Sequence, residues 1–163
     1  MSVLTIRVVP DPVLRQKSKR VSGFDSSVQK LLDEMIETMH YNMGVGLAAP
    51  QVGVLLRVIV IGIPEQETIT LINPQIVKRR GEHTVQEGCL SIPGYMGQVT
   101  RSVSVVAKGF NQEVSSGRLK AKDLLAQALE HEIDHLDGVL YTDHLAGEGK
   151  LYAVDPGEGI GGM

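Results

Sequence analysis

The chain is poor in three features that define whole classes of proteins: cysteine, aromatic side chains and long apolar runs. It has a single cysteine among 163 residues, so no disulfide can form within the chain, which suits a reducing compartment. Aromatic residues make up 4% and tryptophan is absent, which argues against a stacking surface for single-stranded nucleic acid. No apolar run approaches the roughly 20 residues of a membrane-spanning helix. We therefore expect no membrane span and no structural disulfide.

Positive charge is not in excess either. The net charge is -3, with 16 Lys and Arg against 19 Asp and Glu, so the chain as a whole is not expected to offer a basic surface for nucleic acid. Met1–Pro10 carries a charge where a signal peptide would be apolar, and we expect a cytoplasmic protein. A length of 163 residues with 42% hydrophobic residues suits one soluble domain over residues 1–163.

Hydrophobic spacing predicts two helices separated by strands. Ser26–Gln29 is predicted to be a capping box that opens the first helix, which Asn42 and Gly44 end. Apolar β-branched runs predict strands at 57–62, 68–74 (closed by Pro74), 75–78 and 100–107. A second helix is predicted over 121–137, and Gly and Pro residues predict a loose tail over 155–163. The order predicts a single α+β domain, with mixed or antiparallel sheets packed around the second helix.

The most informative segment is His131-Glu-Ile-Asp-His135. Residues four apart on a helix project about 40° from one another, so both imidazoles can bind one metal ion beside Glu132. Leu124 and Ala128 continue the histidine stripe toward the interior. The pattern alone is also consistent with surface histidines in a charged run, and further segments are needed to decide.

Two glycine-rich segments supply further candidates. Gly44–Gly53 is an apolar loop without the Lys-Ser/Thr ending of a phosphate-binding loop, and its Gln51, taken alone, is more simply explained as tying down its own loop. Glu87–Gly94 holds Cys89, which could be an inert buried thiol or a thiolate turned toward a metal. With the two histidines, Cys89 would give three ligands and one open position, which is typical of catalytic metal sites.

With these three segments in view, the chain resembles the peptide deformylases over nearly its whole length. Gly44–Gly53, Glu87–Ser91 and Gln127–Gly138 match the family's three motifs in their order and with similar separations. The resemblance implies a hydrolase that removes the formyl group from N-formylmethionine on new polypeptides. It also implies one divalent cation, with Fe2+ as the physiological metal and Zn2+, Ni2+ or Co2+ able to occupy the site.

The resemblance further assigns roles to individual residues. It implies that the metal ligands are Cys89, His131 and His135. It makes Glu132 the general base and then the general acid. It assigns stabilisation of the oxyanion to the Gln51 side chain, the Leu90 backbone N–H and the metal. We also expect Glu87 to pair with Arg101 or to brace the Cys89 loop.

Substrate binding is predicted at two places. The backbone of Gly44, Val45 and Gly46 is free to pair with an extended peptide. The candidates to line a slot for the methionine side chain are Val45, Val85, Leu124 and Ala128. The alternative is that all four simply pack in the core.

The chain departs from many bacterial members after His144-Leu145, where a short glycine-rich tail begins at Ala146 instead of a longer basic helix. This calls into question a transient ribosome contact through such an extension. Two other readings are a zinc metallopeptidase and a non-enzymatic metal-binding or peptide-binding module. The upstream position of Cys89 is against the first, and the presence of both Glu132 and Gln51 is against the second.

Overall fold

The computed structural model describes residues 2–146 and 151–154, so the tail predicted over 155–163 lies outside the described residues. Two α-helices are present in this part of the chain, α1 (Ser26–Tyr41) and α2 (Asp123–Leu136). The strands are β1 (Gly46–Ala48), β2 (Val58–Ile61), β3 (Ile69–Arg80), β4 (His83–Cys89), β5 (Ile92–Arg101), β6 (Ser104–Phe110), β7 (Ser116–Lys122) and β8 (Tyr152–Ala153). None of the described helices is long and apolar enough to cross a membrane.

All named strand pairs are antiparallel, and they form two sheets. The larger sheet has the order β1-β2-β3-β6-β7, and the smaller has the order β4-β5-β8. The α+β class predicted from the sequence is therefore confirmed. The hairpin of β4 and β5 carries Cys89 at its tip, and α2 packs against the larger sheet.

The strand β2 lies at the centre of the core, between the two helices. Its four β-branched residues are all buried, as predicted for a strand covered on both faces. Ile59 and Ile61 belong to the apolar cluster beneath α2, whereas Val58 and Val60 belong to the cluster beneath α1. The alternation of side chains along one strand thus fixes both helices relative to the same sheet.

The start of α1 differs from the predicted capping box. Asp25, rather than Ser26, is the N-cap, and its carboxylate accepts hydrogen bonds from the N–H groups of Ser27 and Val28. Ser26 is therefore the first helical residue. Asn42 caps the C-terminal end as expected.

Pro74 does not close a strand, contrary to the prediction of two separate strands at 68–74 and 75–78. β3 continues through it, because a register shift between Ile72 and Gln75 places the proline where no ladder hydrogen bond is required. Asn73 adopts a positive φ of 53° there, and its side chain makes two hydrogen bonds with the Val21 backbone.

The single strand predicted over 100–107 is also wrong. The chain leaves the smaller sheet at Arg101 and enters the larger one at Ser104. At the break, the Ser102 N–H donates to the Glu130 carboxylate, 2.7 Å away, instead of to a neighbouring strand. No glycine or proline marks this change of sheet in the sequence.

The helix α2 lies within the predicted range of 121–137, but Ala121 and Lys122 belong to β7. Gly138 follows α2 with a positive φ of 73°, as expected of a helix stop. A Cβ at this position would meet the Arg15 backbone, so the glycine also permits a close approach.

Candidate metal centre and its surroundings

The thiol of Cys89 and the imidazoles of His131 and His135 converge in the interior. One potential ligand atom from each residue lies within 4.8 Å of the other two, and all three residues are buried. Cys89 Sγ lies 3.4 Å from His135 Nε2, which lies 3.2 Å from His131 Nε2. The structure therefore brings together the three residues for which the sequence implied metal binding.

Cys89 reaches this point because it ends β4. The segment predicted as a glycine-rich loop is a tight turn, in which Cys89 is paired with Ile92 across the hairpin and only Leu90 and Ser91 lie between them. Leu90 is half-buried, directly after the cysteine. The pairing of β4 with β5 thus fixes the positions of the Cys89 side chain and of the Leu90 backbone.

The orientation of His131 is fixed by a buried carboxylate. Its Nδ1 lies 2.7 Å from Glu87 Oε1, so Nδ1 carries the hydrogen and the Nε2 lone pair faces Cys89 and His135. Glu87 also accepts two hydrogen bonds from Arg101, of 2.6 and 2.8 Å, which confirms the expected pair. Arg101 is in turn bound by Asp134 of α2.

Burial alone would raise the pKa of Glu87, but the hydrogen bonds and charges of Arg101 and His131 lower it to about 2. Glu87 is therefore a carboxylate at neutral pH and holds the imidazole as a fixed acceptor. The same contacts raise the pKa of Arg101 against the effect of its burial.

The donor set fits a divalent cation. Burial lowers the pKa of His135 well below its ordinary value, so that ring is neutral and has a lone pair to offer. Burial also opposes a charge on His131, but Glu132, Cys89 and Glu87 outweigh it and raise the pKa of His131. The surroundings thus favour positive charge at the point where two ring nitrogens and one sulfur meet, and a shared cation would supply that charge in place of the proton on His131 Nε2.

Glu132 is fully buried, and neither of its carboxylate oxygens has a hydrogen-bond partner among the described residues. Burial is the main cause that raises its pKa to about 7. The Glu132 side chain fits here because residue 46 of β1 is a glycine. A Cβ at Gly46 would collide with the Glu132 side chain. Such a carboxylate is suited to exchanging a proton near neutral pH.

Gln51 lies in a turn of 3-10 helix, Ala49–Val52, and serves both of the purposes considered for it. Its Oε1 accepts a hydrogen bond from the Ala48 N–H, which ties down the loop. Its Nε2 donates to Ser91 Oγ at 3.0 Å and lies 3.6 Å from Cys89 Sγ, so the amide also faces the centre. Sequence reasoning missed Ser91, whose only signal was its position two residues after Cys89.

The residues predicted to bind substrate occupy two environments. Val45 and Ala128 are buried, and Leu124 is half-buried, in the apolar cluster beneath α2. Val85 packs against the cluster that contains Cys89. Gly46 lies in β1, at the edge of the larger sheet, and Gly44 directly precedes that strand. Their contact with substrate stays a prediction.

Comparisons with known proteins show the family to which the chain belongs. A family model described as polypeptide deformylase matches residues 3–150. A peptide deformylase of Dehalococcoides mccartyi strain CBDB1 is 51% identical over 157 residues, which cover 96% of this chain and 94% of that protein. One from Alkaliphilus metalliredigens is 50% identical, over 91% of this chain and all of the relative.

Solved structures show the same fold. A crystal structure of a peptide deformylase from Legionella pneumophila aligns with a TM-score of 0.86 and 42% identity, covering 89% of this chain and 87% of that one. A peptide deformylase from Synechococcus elongatus in complex with actinonin aligns with a TM-score of 0.85 and 40% identity, covering 89% and 80%. The chain belongs to the peptide deformylase family, the metal-dependent hydrolases that remove the N-formyl group from nascent peptides.

Proposed function

We propose that Cys89, His131 and His135 hold one divalent cation and that Glu132 transfers the proton during hydrolysis of the formyl amide. The observation that carries this proposal is the convergence of three ligand atoms within 4.8 Å, beside a buried carboxylate that lacks a partner among the described residues. A purely structural metal site would be closed by a fourth ligand and would have no use for such a carboxylate.

The native metal in this proposal is Fe2+. One thiolate and two imidazoles form a borderline-soft donor set, which also accepts Zn2+, Ni2+ or Co2+. When bound, the cation lowers the pKa of a water molecule and polarises the formyl oxygen. Metal analysis of anaerobically purified protein tests the choice of iron, and a preparation that contains only zinc and is fully active contradicts it.

The chain's own groups carry the remaining steps. Glu132 takes a proton from water as the water oxygen attacks the formyl carbon. The Gln51 amide and the Leu90 backbone N–H donate hydrogen bonds to the oxyanion that develops, and one such donor is typically worth about 3 kcal/mol. Glu132 then gives its proton to the amine as the carbon–nitrogen bond breaks, which releases formate and a free N-terminus.

The substrate in this proposal is an N-formylmethionyl peptide. An extended peptide would pair with the edge of β1 through the backbone groups of Gly44, Val45 and Gly46 that have no partner within the chain, since the Gly44 N–H already donates to the Met39 carbonyl and the Val45 carbonyl accepts from the Gly62 N–H. A slot for the methionine side chain is proposed between Val45, Val85, Leu124 and Ala128. Because the substrates are newly made polypeptides, we propose the cytoplasm as the place of action.

The decisive experiment compares Glu132→Gln and Cys89→Ala with the unaltered protein. Glu132→Gln should lower the rate of deformylation of a formyl-Met peptide by about 10²- to 10⁴-fold while the metal content stays at one ion per chain. Cys89→Ala should lower the metal content itself. Full activity of Glu132→Gln would contradict the assigned role of this residue.

A parallel assay separates the proposal from a metallopeptidase. The enzyme is incubated with a formyl-Met peptide and with the same peptide carrying an acetyl group in place of the formyl group. Release of formate from the first, with every internal peptide bond intact in both, is the expected result. Cleavage of an internal bond would favour the peptidase.

A further inference from the structure

Six cationic side chains cover one part of the larger sheet on the face opposite α2. This basic face consists of Lys78 and Arg80 on β3, Lys108 on β6, and Arg118, Lys120 and Lys122 on β7, all of them exposed. None of the six forms an ion pair with another residue in the part of the chain that the structure describes.

The strand register places these residues on the same side. Lys120 and Lys78 both lie opposite Val106, and Lys108 lies opposite Arg118. Directly opposed residues in antiparallel strands point to the same face, and alternate residues of one strand do so too. The residues between them, such as Val105 and Ala121, point into the apolar cluster beneath α2.

The other part of this face is covered by α1. Val58, Ile72 and Phe110 lie opposite one another in neighbouring strands, and they pack in the cluster that contains the buried residues of α1. Beyond these apolar residues, α1 no longer covers the larger sheet. The cationic residues lie on this uncovered part. The basic face is thus a bare region of a sheet that is otherwise packed.

The charge of this region contrasts with that of the chain. The sequences of β3, β6 and β7 contain no Asp or Glu, although the chain has 19 of them and a net charge of -3. A surface shaped only by solubility would mix both signs. Net charge averages over all surfaces, so the expectation drawn from it for the chain as a whole leaves room for a basic region on one face.

Protection of a sheet edge explains only part of the pattern. Lysines on the edge strand β7 prevent edge-to-edge association. However, β3 and β6 are interior strands, so this reason does not extend to Lys78, Arg80 or Lys108. The direct opposition of Lys108 and Arg118 is itself unfavourable in the free protein, and an anionic partner would offset it.

Two shallow grooves lie on this face. One, of about 410 Å³, is lined by Lys108 and Arg118 together with Arg20 from the segment before α1. The other, of about 480 Å³, is lined by Lys78, Arg80, Lys120 and Lys122. Repeated positive charges beside grooves complement a polymer with regularly spaced anionic groups better than a single small anion.

We propose that the basic face docks the enzyme on the phosphate backbone of RNA. Phe110, the one aromatic residue of β3, β6 and β7, is half-buried against Phe24 rather than free to stack on bases, and none of the exposed large apolar side chains lies on these strands to enter a lipid layer. The choice of RNA over other polyanions rests on the proposed function, since nascent polypeptides emerge from an RNA-rich particle. Docking by this face leaves Glu132, on the other side of the sheet, free to act.

The test measures binding of the purified, metal-loaded enzyme to a fluorescein-labelled RNA hairpin by anisotropy at several salt concentrations. Lys78→Gln with Lys120→Gln should weaken binding and reduce the slope of log K against log salt by about 2. The matched control, Lys17→Gln with Lys30→Gln, removes the same charge from exposed positions elsewhere and should retain the slope of the unaltered protein.

Each alternative outcome contradicts the proposal. Absence of RNA binding by the unaltered protein at low salt, or equal weakening in both double variants, would overturn it. Tighter binding to vesicles of anionic phospholipid, or to poly-glutamate, would assign the face to a different partner. Both variants should hydrolyse a free formyl-Met peptide as the unaltered protein does, and this assay tests the proposed function separately from docking.

Discussion

The surroundings of α2 and the basic face are both rich in charged side chains, but the charges are paired in the first region and unpaired in the second. Around α2, the buried Glu87, Arg101 and Glu130 each have a partner of opposite charge. On the basic face, no such pair is formed among the described residues. An unpaired charge in the interior costs several kcal/mol, whereas on the surface it costs little. The buried exception, Glu132, is therefore the residue to which we assign proton transfer, and the uniform sign of the exposed charges is the basis of the proposed docking.

The largest expected effect comes from breaking the interior pair. Glu87→Gln leaves the Arg101 guanidinium buried without its carboxylate and should lower the free energy of unfolding by about 3–5 kcal/mol, measured by urea denaturation. Glu82→Gln, at an exposed position, is the control and should change it by less than about 0.5 kcal/mol. Unchanged stability of Glu87→Gln would mean that the pair does not hold the hairpin to α2.

Acid should weaken the same interior region. The pKa of Glu87 is about 2 in the folded protein against an ordinary value of 4.5, so its ionisation stabilises the fold above about pH 4.5. This contribution, on the order of 3 kcal/mol, is lost as the pH falls from 4.5 toward 2. Unfolding free energies measured between pH 6 and 3 should fall more steeply for the unaltered protein than for Glu87→Gln. Parallel curves would contradict the assignment.

A smaller change tests the space that Glu132 occupies. Gly46→Ala places a methyl group against the Glu132 carboxylate, the far end of that side chain, which must shift. We expect a loss of about 10²-fold in kcat/KM for a formyl-Met peptide, with little change in stability. Gly117→Ala, where an added Cβ meets nothing within 4 Å, should leave both unchanged. Full activity of Gly46→Ala would show that the position of Glu132 is not critical.

The smallest effect is expected on the basic face, and it has the opposite sign. Arg118→Gln removes the repulsion with Lys108 and should raise the free energy of unfolding by about 0.2–1 kcal/mol at low salt. The gain should shrink at high salt, where exposed charges are screened. Arg79→Gln, which loses a pair with Glu130 on the inner side, should not be stabilised. Destabilisation by Arg118→Gln would show that these charges are not in conflict.

Local patterns predicted the elements whose structure depends on near neighbours. α2 could be predicted because good helix formers run without interruption to Gly138, and β2 because its β-branched residues are apolar on both faces. The errors arose where a distant residue decides. β3 passes Pro74 at a register shift, beside which the Asn73 side chain bonds to the distant Val21. The chain changes sheets at Ser102, whose N–H is accepted by Glu130.

The amino-acid sequence determined which chemical groups are present and, through the helical repeat, that His131 and His135 share one face. It also carried the order of motifs by which the family could be recognised. Only the tertiary structure decided that Cys89 meets His135, 46 residues away, that Glu87 orients His131, and that six cations gather on one bare face. The physical reason is that helical spacing follows from local backbone geometry, whereas these meetings depend on strand pairing and packing between distant parts of the chain.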